Sequence, residues 1–259
     1  MKSILGNRAF IAAASLVIVI SIWEFFGRDG NPILTSYPSA VFESFLQLTE
    51  SGDLPRALLQ SIGSLALGYG FAALVGVPIG LILGRFRTAE AAAGYYFLGF
   101  DATPLVAFLP LYILWFGLGT AVKVAVVFTF AVTPIVINTW IGVRDVPRVL
   151  TEVGKAFCAS EPLILRRIVL PAALPAIVSG LRLGVGRAII ALAVAELFTA
   201  ITGLGGMLLK KSEAYDTAGV LVCAFTFMAL GILMTTLLDR LQRKIAPWHY
   251  AASAAKPVE

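Results

Sequence analysis

The sequence predicts an all-α integral membrane protein whose single domain covers residues 1–259 and crosses the membrane six times. Composition is the first observation: 59% of the residues are hydrophobic and 14% are charged, whereas soluble domains carry roughly 45–50% apolar and about 25% charged residues. Length is the second, because six apolar segments approach the roughly 20 residues that cross a hydrocarbon core about 30 Å thick. The third is the uneven placement of lysine and arginine between these segments, which orients them.

The six predicted spans cover residues 10–26, 62–83, 94–116, 122–143, 176–201 and 219–238. The first follows Lys2 and Arg8, a pattern that also describes a signal peptide. No A-x-A-like cleavage site comes after it, because the chain continues as WEFF at 23–26, so we expect a transmembrane helix. In the second span, Gly76 and Gly80 form a small-x-x-x-small pair suited to close helix packing.

Residues 32–60 connect the first two spans and predict a short helix on the outer side. Pro32 and Pro38 end the preceding element, and Ser39 is a candidate N-cap for an amphipathic helix over residues 40–49. A helix of this kind would lie along the membrane interface.

Prolines interrupt the next two spans. Pro104 and Pro110 lie in the third span and Pro134 lies in the fourth. A proline leaves a backbone carbonyl unpaired, which a bilayer tolerates only where protein or a water-filled cavity satisfies it. We therefore expect a solute pathway along these spans, although simple kinks for helix packing are an equally good interpretation. The candidate lining residues are Thr103, Phe108, Thr133 and Asn138.

The distribution of lysine and arginine places both termini in the cytoplasm. Of the 20 such residues, fifteen then fall on the inner side and five on the outer side. The outer five are Arg28, Arg56, Lys123, Lys210 and Lys211. The inner group includes Arg182 and Arg187, which lie in the first half of the predicted fifth span. This asymmetry accounts for the net charge of +5 without a nucleic-acid partner.

Residues 144–171 form the longest cytoplasmic loop on this orientation, and they carry many charges. A mostly apolar stripe at helical spacing runs through Val153, Ala156, Phe157, Ser160 and Ile164. Ser160 or Glu161 can cap a second short helix with Pro162 in its first turn, and Leu170-Pro171 should end that element. The residues alone leave two interpretations, a helix lying on lipid or one held in the groove of a partner protein. The small side chains around Phe157 favour the partner.

Several stretches resemble the permease subunits of ABC importers, in particular those for sulfonates, taurine and nitrate. Glu152 followed by IVLP at 168–171 is similar to the cytoplasmic Glu-Ala-Ala loop of that family. The other similar stretches are SIGSLALGYGFAALVGVPIGLILG (61–84), LPLYILWFGLGTAVKV (109–124), INTWIGV (137–143), AVAELFTAITGLGGML (193–208) and APWH (246–249). The resemblance covers nearly the whole chain from about residue 32 onward, ending in a C-terminal tail at 246–259.

The resemblance implies a type I ABC importer permease fold of the cell inner membrane, in which the loop is a coupling helix inserted into an ATPase subunit. The residues carried over to that role are Glu152, Val153, Gly154, Lys155, Ala156, Phe157, Cys158, Ala159, Ser160 and Leu163. Cys158 replaces the family's glycine at a left-handed turn. Because cysteine would be strained there, we expect the turn to be made differently.

The resemblance also implies the partners: a second permease copy, two cytoplasmic ATPase subunits, an extracytoplasmic solute-binding protein and membrane lipid. The chain contains no G-x-x-x-x-G-K-[ST] phosphate loop. We therefore expect it to be no enzyme and to hold no cofactor, with ATP and Mg²⁺ bound by the ATPase subunits.

Two acidic residues lie within predicted spans, where ionisable groups usually face a cavity or a partner. Asp101 stands where the family often has a basic residue, which bears on any preference for anions. It either lines the pathway or pairs with Arg182 or Arg187 near the cytoplasmic interface. Glu196 is expected to accept hydrogen bonds from a neighbouring helix.

The resemblance suggests taurine, another sulfonate or nitrate as the solute, with a pyrimidine vitamin precursor or an aromatic acid as the alternative. An ion-coupled secondary transporter is less expected, because its paired discontinuous helices and ionisable relays are not evident. A membrane enzyme is disfavoured, since H-E-x-x-H and G-x-S-x-G are lacking and His249 lies in the tail. Cys158 and Cys223 do not have metal-ligand spacing.

Overall fold

A computed structural model describes residues 8–31, 34–199 and 202–245, and in these residues the chain is helical almost throughout. The helices are α1 (Arg8–Arg28), α2 (Pro38–Glu50), α3 (Asp53–Arg85), α4 (Arg87–Ala102), α5 (Leu109–Phe116), α6 (Thr120–Arg144), α7 (Arg148–Ala156), α8 (Glu161–Ile164), α9 (Leu170–Thr199), α10 (Gly203–Glu213) and α11 (Thr217–Ile245). A 3-10 turn at Leu105–Phe108 precedes α5, and a π-helical stretch at Leu165–Val169 joins α8 to α9. The expectations for Lys2, Pro32 and the tail at 246–259 lie outside the described residues.

Among the described residues, five helical runs are long and apolar enough to cross a membrane: α1, α3, α6, the run Glu161–Thr199 and α11. The pair α4 and α5 makes a sixth, bent by 90°. Glu90 near the start of α4 contacts Arg144 at the end of α6, with Nη1 and Oε1 3.4 Å apart. Because α5 ends just before α6 begins, the bent pair runs from one end of α6 to the other and crosses once. The predicted six spans and the break at Pro104 are therefore confirmed.

Helices α3, α6 and α9 form the centre of the bundle, and glycines let them approach closely. A Cβ atom added at Gly76 would lie 3.0 Å from Cγ2 of Ile135, and one added at Gly80 would lie 2.5 Å from Cβ of Thr139. The same isoleucine also meets α9, since a Cβ at Gly184 would lie 2.9 Å from its Cγ1. The predicted packing role of the small-x-x-x-small pair is thus confirmed.

The predicted cap of α2 is wrong, because the helix begins at Pro38 with Tyr37 as its N-cap. Ser39 instead binds Glu24 of α1: its backbone N–H donates to Oε2 at 3.0 Å and its hydroxyl donates to Oε1 at 2.7 Å. A carboxylate from the preceding helix therefore satisfies one of the unpaired N–H groups at the start of α2. Trp23 adds a second tie, since its Nε1 donates to the carbonyl of Ser36 at 2.8 Å.

The expectation that Leu170-Pro171 ends a helical element is also wrong, because helix continues from Glu161 to Thr199. Proline lacks an N–H and clashes with the carbonyl four residues before it. The π-helical stretch ends at Val169, two residues before Pro171, and its carbonyls pair with N–H groups five residues on. The wider turn accommodates the proline without a break.

Arg182 and Arg187 lie inside α9 rather than in a loop, so they do not belong in the loop charge count. Without them thirteen inner residues still oppose the five outer ones, and the predicted orientation is unchanged. We call the end of the bundle that carries residues 144–164 the inner end and the opposite end the outer end.

Candidate functional site

Helices α7 and α8 form a hairpin, residues 148–164, at the inner end of the bundle. The chain reverses at Cys158, whose φ is +55°. The N–H of Ala159 donates to the carbonyl of Gly154 at 3.0 Å, and that of Cys158 donates to the carbonyl of Lys155 at 2.9 Å. These two bonds make the helix-ending motif in which a left-handed residue follows the last turn. The expectation of a different turn is wrong: Cys158 takes the left-handed position itself.

The inward side of the 148–164 hairpin packs tightly. Gly154 is buried, and a Cβ added to it would lie 2.8 Å from Cδ1 of Ile168 and 3.1 Å from Cγ1 of Ile164. Ile164 is buried and belongs to a small apolar cluster with Val169. Ser160 precedes α8 as its N-cap, as predicted, although its side chain makes no capping bond. The predicted stripe is therefore split, with Ile164 turned inward.

The other side of the 148–164 hairpin presents apolar side chains to the surroundings. Phe157 is 83% exposed, and Val149, Val153 and Leu163 are exposed too. The remaining residues carried over to the coupling role, Glu152, Lys155, Ala156, Cys158 and Ser160, are exposed, while Ala159 is half-buried. A contiguous exposed apolar face on a folded hairpin is typical of a protein-binding surface.

An ion pair connects the 148–164 hairpin to the end of α3. Arg85 donates through Nη2 to Oε2 of Glu161, and Lys155 Nζ lies 3.9 Å from Oε1 of the same carboxylate. The hairpin is thus fixed to the bundle by packing on one side and by charge on another.

Three of the predicted lining residues lie at or beside the break between α4 and α5. Asp101 lies in the last turn of α4, Thr103 follows as its C-cap, and Phe108 ends the 3-10 turn with its side chain partly exposed. The hydroxyl of Thr103 donates to the carbonyl of Gly99 at 2.8 Å. We call these residues, with Arg187, the break site.

Arg187 of α9 holds the carboxylate of Asp101. Its Nη1 contacts Oδ1, and its Nη2 lies 3.4 Å from Oδ2. Arg182, the other predicted partner, is engaged elsewhere, with Asp239 and with Oε1 of Gln242 at 3.0 Å. The pairing predicted for Asp101 is confirmed, with Arg187 as the partner, but the pair lies near the middle of α9 rather than near the cytoplasmic interface.

Thr133 and Asn138 lie away from the break site, in the packed part of α6. Thr133 is fully buried. Asn138 donates through Nδ2 to the carbonyl of Pro134 at 2.8 Å, and a Cβ at Gly180 would lie 2.8 Å from its Cβ. Thr133 therefore lines no open space in this conformation, and the lining role of the other candidates stays a prediction.

A buried polar cluster at the outer end was missed by the sequence reasoning. Lys123, counted there among outer loop charges, is 1% exposed, and Glu196 is 0% exposed. Nζ of Lys123 lies 3.3 Å from Oε1 of Glu196 and donates to the carbonyl of Thr202 at 2.6 Å. The sequence contained a signal for this pair. Because α6 and α9 run in opposite directions, Lys123 near the start of α6 and Glu196 near the end of α9 lie at the same depth.

Further donors complete the shell of the Glu196 carboxylate, as sequence analysis expected of this residue. The hydroxyl of Ser61 lies 2.8 Å from Oε1 and 2.9 Å from Oε2. The N–H of Gly205 donates to Oε2 at 2.9 Å. Gly203 has a φ of +91° and leaves no room for a Cβ, which would lie 2.0 Å from Oε1. The cluster therefore fixes the glycine-rich start of α10.

Comparison with known proteins agrees with this geometry. The family model of binding-protein-dependent transport system inner membrane components matches residues 76–247. The taurine transport system permease protein TauC of Escherichia coli (strain K12) is 28% identical over 95% of this chain and 92% of its own length. The putative aliphatic sulfonates transport permease protein SsuC of Bacillus subtilis (strain 168) is 32% identical over 89% of this chain and 84% of its own.

A solved structure has the same fold. A chain of the MetNI methionine ABC transporter in an inward-facing conformation superimposes with a TM-score of 0.58, at 20% identity, over 72% of this chain and 93% of that one. At this identity the likeness concerns the arrangement of helices alone.

Proposed function

The chain belongs to the family of binding-protein-dependent transport system inner membrane components, and from that membership we propose that it imports a small sulfonate such as taurine, driven by ATP hydrolysis on a partner subunit. It is an all-helical, multi-pass ABC transporter permease of type I fold. The sulfonate assignment is supported by the similarity to permeases named for taurine and aliphatic sulfonates.

The observation that carries the proposal is the exposed apolar face of the 148–164 hairpin. Phe157 is 83% exposed on a hairpin that is fixed by the buried Gly154 and by the ion pair of Glu161 with Arg85. A surface this apolar and this firmly held suits docking into the cleft of a cytoplasmic ATPase subunit. Closure of an ATPase dimer would then move the hairpin and, through rigid-body motion, open and close the pathway.

The partners follow from the same proposal. Two copies of the permease would face each other, with one ATPase subunit under each, and a solute-binding protein would deliver the solute at the outer end. ATP and Mg²⁺ would bind to the ATPase subunits, since this chain has no phosphate-binding loop. The N- and C-termini would lie in the cytoplasm of the cell, on the side of the ATPases.

Phe157→Asp tests the docking role. A charge on the exposed face should weaken binding of the ATPase subunit by about 2 kcal/mol or more, the range of aromatic interface residues, which is roughly thirtyfold in affinity. ATPase co-purification and ATP-driven uptake in vesicles should fall together, while membrane insertion is unchanged. Leu34→Asp is the matched control, because Leu34 is also largely exposed, at 75%, but lies at the outer end. Full coupling in the Phe157→Asp complex would refute the proposal.

The solute is tested on the solute-binding protein, which selects what reaches the permease. We expect taurine or another sulfonate to raise its thermal unfolding temperature. A response to pyrimidines or aromatic acids alone would contradict the sulfonate assignment and leave the docking role untouched.

A further inference from the structure

We propose that the Asp101–Arg187 ion pair of the break site is a solute-binding site that selects zwitterionic aminosulfonates over sulfonates without an ammonium group. The inference rests on the proposed function and adds to it the site in this chain and the charge pattern of the solute. Three observations support it: the depth of the pair, its exposure and the position of Asp101 on its helix.

The pair lies near the middle of the bundle. Arg187 precedes Thr199, the end of α9, by roughly 18 Å at 1.5 Å per residue. The hydrocarbon core of a bilayer is about 30 Å thick, so the guanidinium is far from either interface. Charges at this depth mark solute or ion pathways in membrane proteins.

The pair is also partly open. The side chain of Arg187 is 41% exposed and that of Asp101 is 31% exposed. The same face of α9 carries the exposed residues Leu183 and Ile190. Lipid is an unfavourable neighbour for two half-exposed charges, so this face borders water or protein. In the proposed dimer it would border the space between the two permease copies.

The stability of α4 does not explain why Asp101 carries a carboxylate at this position. Asp101 lies in the last turn of α4, where the partial negative charge of the helix end disfavours an anion. Helix α4 is already attached to α6 at its other end, by Glu90 with Arg144 and by the contact of Gly94 with Trp140. A carboxylate together with the carbonyls of a helix end makes a local site for a cation, such as a solute ammonium.

The charges of the site favour a zwitterion. The planar guanidinium of Arg187 suits two oxygens of a sulfonate, and the carboxylate of Asp101 suits an ammonium. A zwitterion that inserts between them leaves the site neutral. A plain sulfonate adds a negative charge next to Asp101 in a medium of low dielectric constant, where repulsion is strong. This repulsion excludes the competing solute.

Direct binding tests the inference. Labelled taurine and labelled isethionate, in which a hydroxyl replaces the ammonium, are each titrated onto the purified permease–ATPase complex without the solute-binding protein. We expect the wild-type complex to bind taurine at least about tenfold more tightly than isethionate. Asp101→Asn should weaken the binding of taurine and strengthen the binding of isethionate. The ratio of the two affinities should then fall to about one or reverse. Arg187→Gln should weaken both.

Matched variants separate recognition from structure. Asp239→Asn removes the carboxylate partner of another α9 arginine, Arg182, and should leave the preference unchanged. Asp101→Glu keeps the charge and should keep the preference, even where Asp101→Asn fails to fold. If the pair is purely structural, breaking it should weaken the binding of both solutes to the same extent.

The inference is overturned if the wild-type complex binds taurine and isethionate equally well, or if Asp101→Asn weakens the binding of both to the same extent. It is also overturned if a complex that still imports taurine shows no saturable taurine binding. Failure of the proposed function has a different signature. In that case no ATPase subunit co-purifies, or no sulfonate is taken up on addition of ATP.

Discussion

The buried pair of Lys123 and Glu196 should determine the stability of the outer end of the bundle. Both side chains are removed from solvent, at 1% and 0% exposed, and breaking a buried pair by removing one partner costs about 3–5 kcal/mol. We expect Lys123→Met to reduce the free energy of unfolding by about 3 kcal/mol, at the low end of that range. The carboxylate left behind still accepts from Ser61 and Gly205, which offsets part of its lost partner.

Removing both charges should be less harmful than removing one. In the double variant Lys123→Met/Glu196→Gln, the glutamine carbonyl can still accept from Ser61 or Gly205, and no uncompensated charge remains. We expect the double variant to recover most of the loss and to lie within about 1–2 kcal/mol of the wild type, because neutral replacements of buried pairs are often tolerated. Glu196→Gln alone should resemble Lys123→Met, since it leaves the ammonium unpaired.

The measurement is a double-mutant cycle on the protein in detergent, followed by denaturant-induced loss of helicity. Lys211→Met is the matched control, because the pair of Lys211 with Asp216 is 30% and 34% exposed and should be worth less than about 1 kcal/mol. Strictly additive effects of the two single changes would show that Lys123 and Glu196 do not interact, and would refute the reasoning.

Two further predictions concern turns. Cys158→Gly should stabilise the 148–164 hairpin by about 1 kcal/mol, because the left-handed conformation costs an L-residue roughly 1–2 kcal/mol. Cys158→Val should destabilise the hairpin. Protease sensitivity of the hairpin measures both effects, and equal sensitivity of the two variants would contradict the left-handed conformation of Cys158. Asp216 precedes α11 and accepts from the N–H of Gly219 at 2.8 Å, so Asp216→Ala should cost about 1 kcal/mol. Burial raises the pKa of Asp216, but the bonds from Lys211 and Gly219 outweigh it and leave that pKa below its ordinary value. The wild-type advantage should therefore be present above the ordinary carboxyl pKa and disappear as the pH falls through the lowered one; an advantage that persists in acid would show that the charge is irrelevant.

The spans were predictable because an apolar run of bilayer length has few alternatives to a helix. Their ends were not, because polar first turns continue the same helix. The second span was predicted from residue 62, whereas α3 begins at Asp53 and includes Arg56 and Gln60. Those polar residues face the outer surface beside α10. The helix can include them there without burying a charge.

Contacts between distant residues were only partly predictable. The partner of Asp101 was narrowed to two arginines, since both lie in the fifth span, but only the fold decides between them: Arg187 faces the break site and Arg182 faces α11. Lys123 was misjudged because sequence position near a span end suggests exposure, whereas the start of α10 folds over it. The cap of α2 failed for a similar reason, as Glu24 arrives from another helix.

The continuous helix Glu161–Thr199 connects the three sites in a definite order. Glu196 fixes its outer end to α6 through Lys123, so motion imposed at the 148–164 hairpin should pivot near that point. At 1.5 Å per residue, Ile164 lies about 48 Å from Glu196 along the helix, and Arg187 lies about 14 Å from it. A rigid helix would then reduce a displacement of the hairpin to about a third or less at Arg187. That reduced shift suits the opening of an ion pair, because a contact between charged groups is lost within a few ångströms, whereas the hairpin must follow the larger movement of an ATPase cleft.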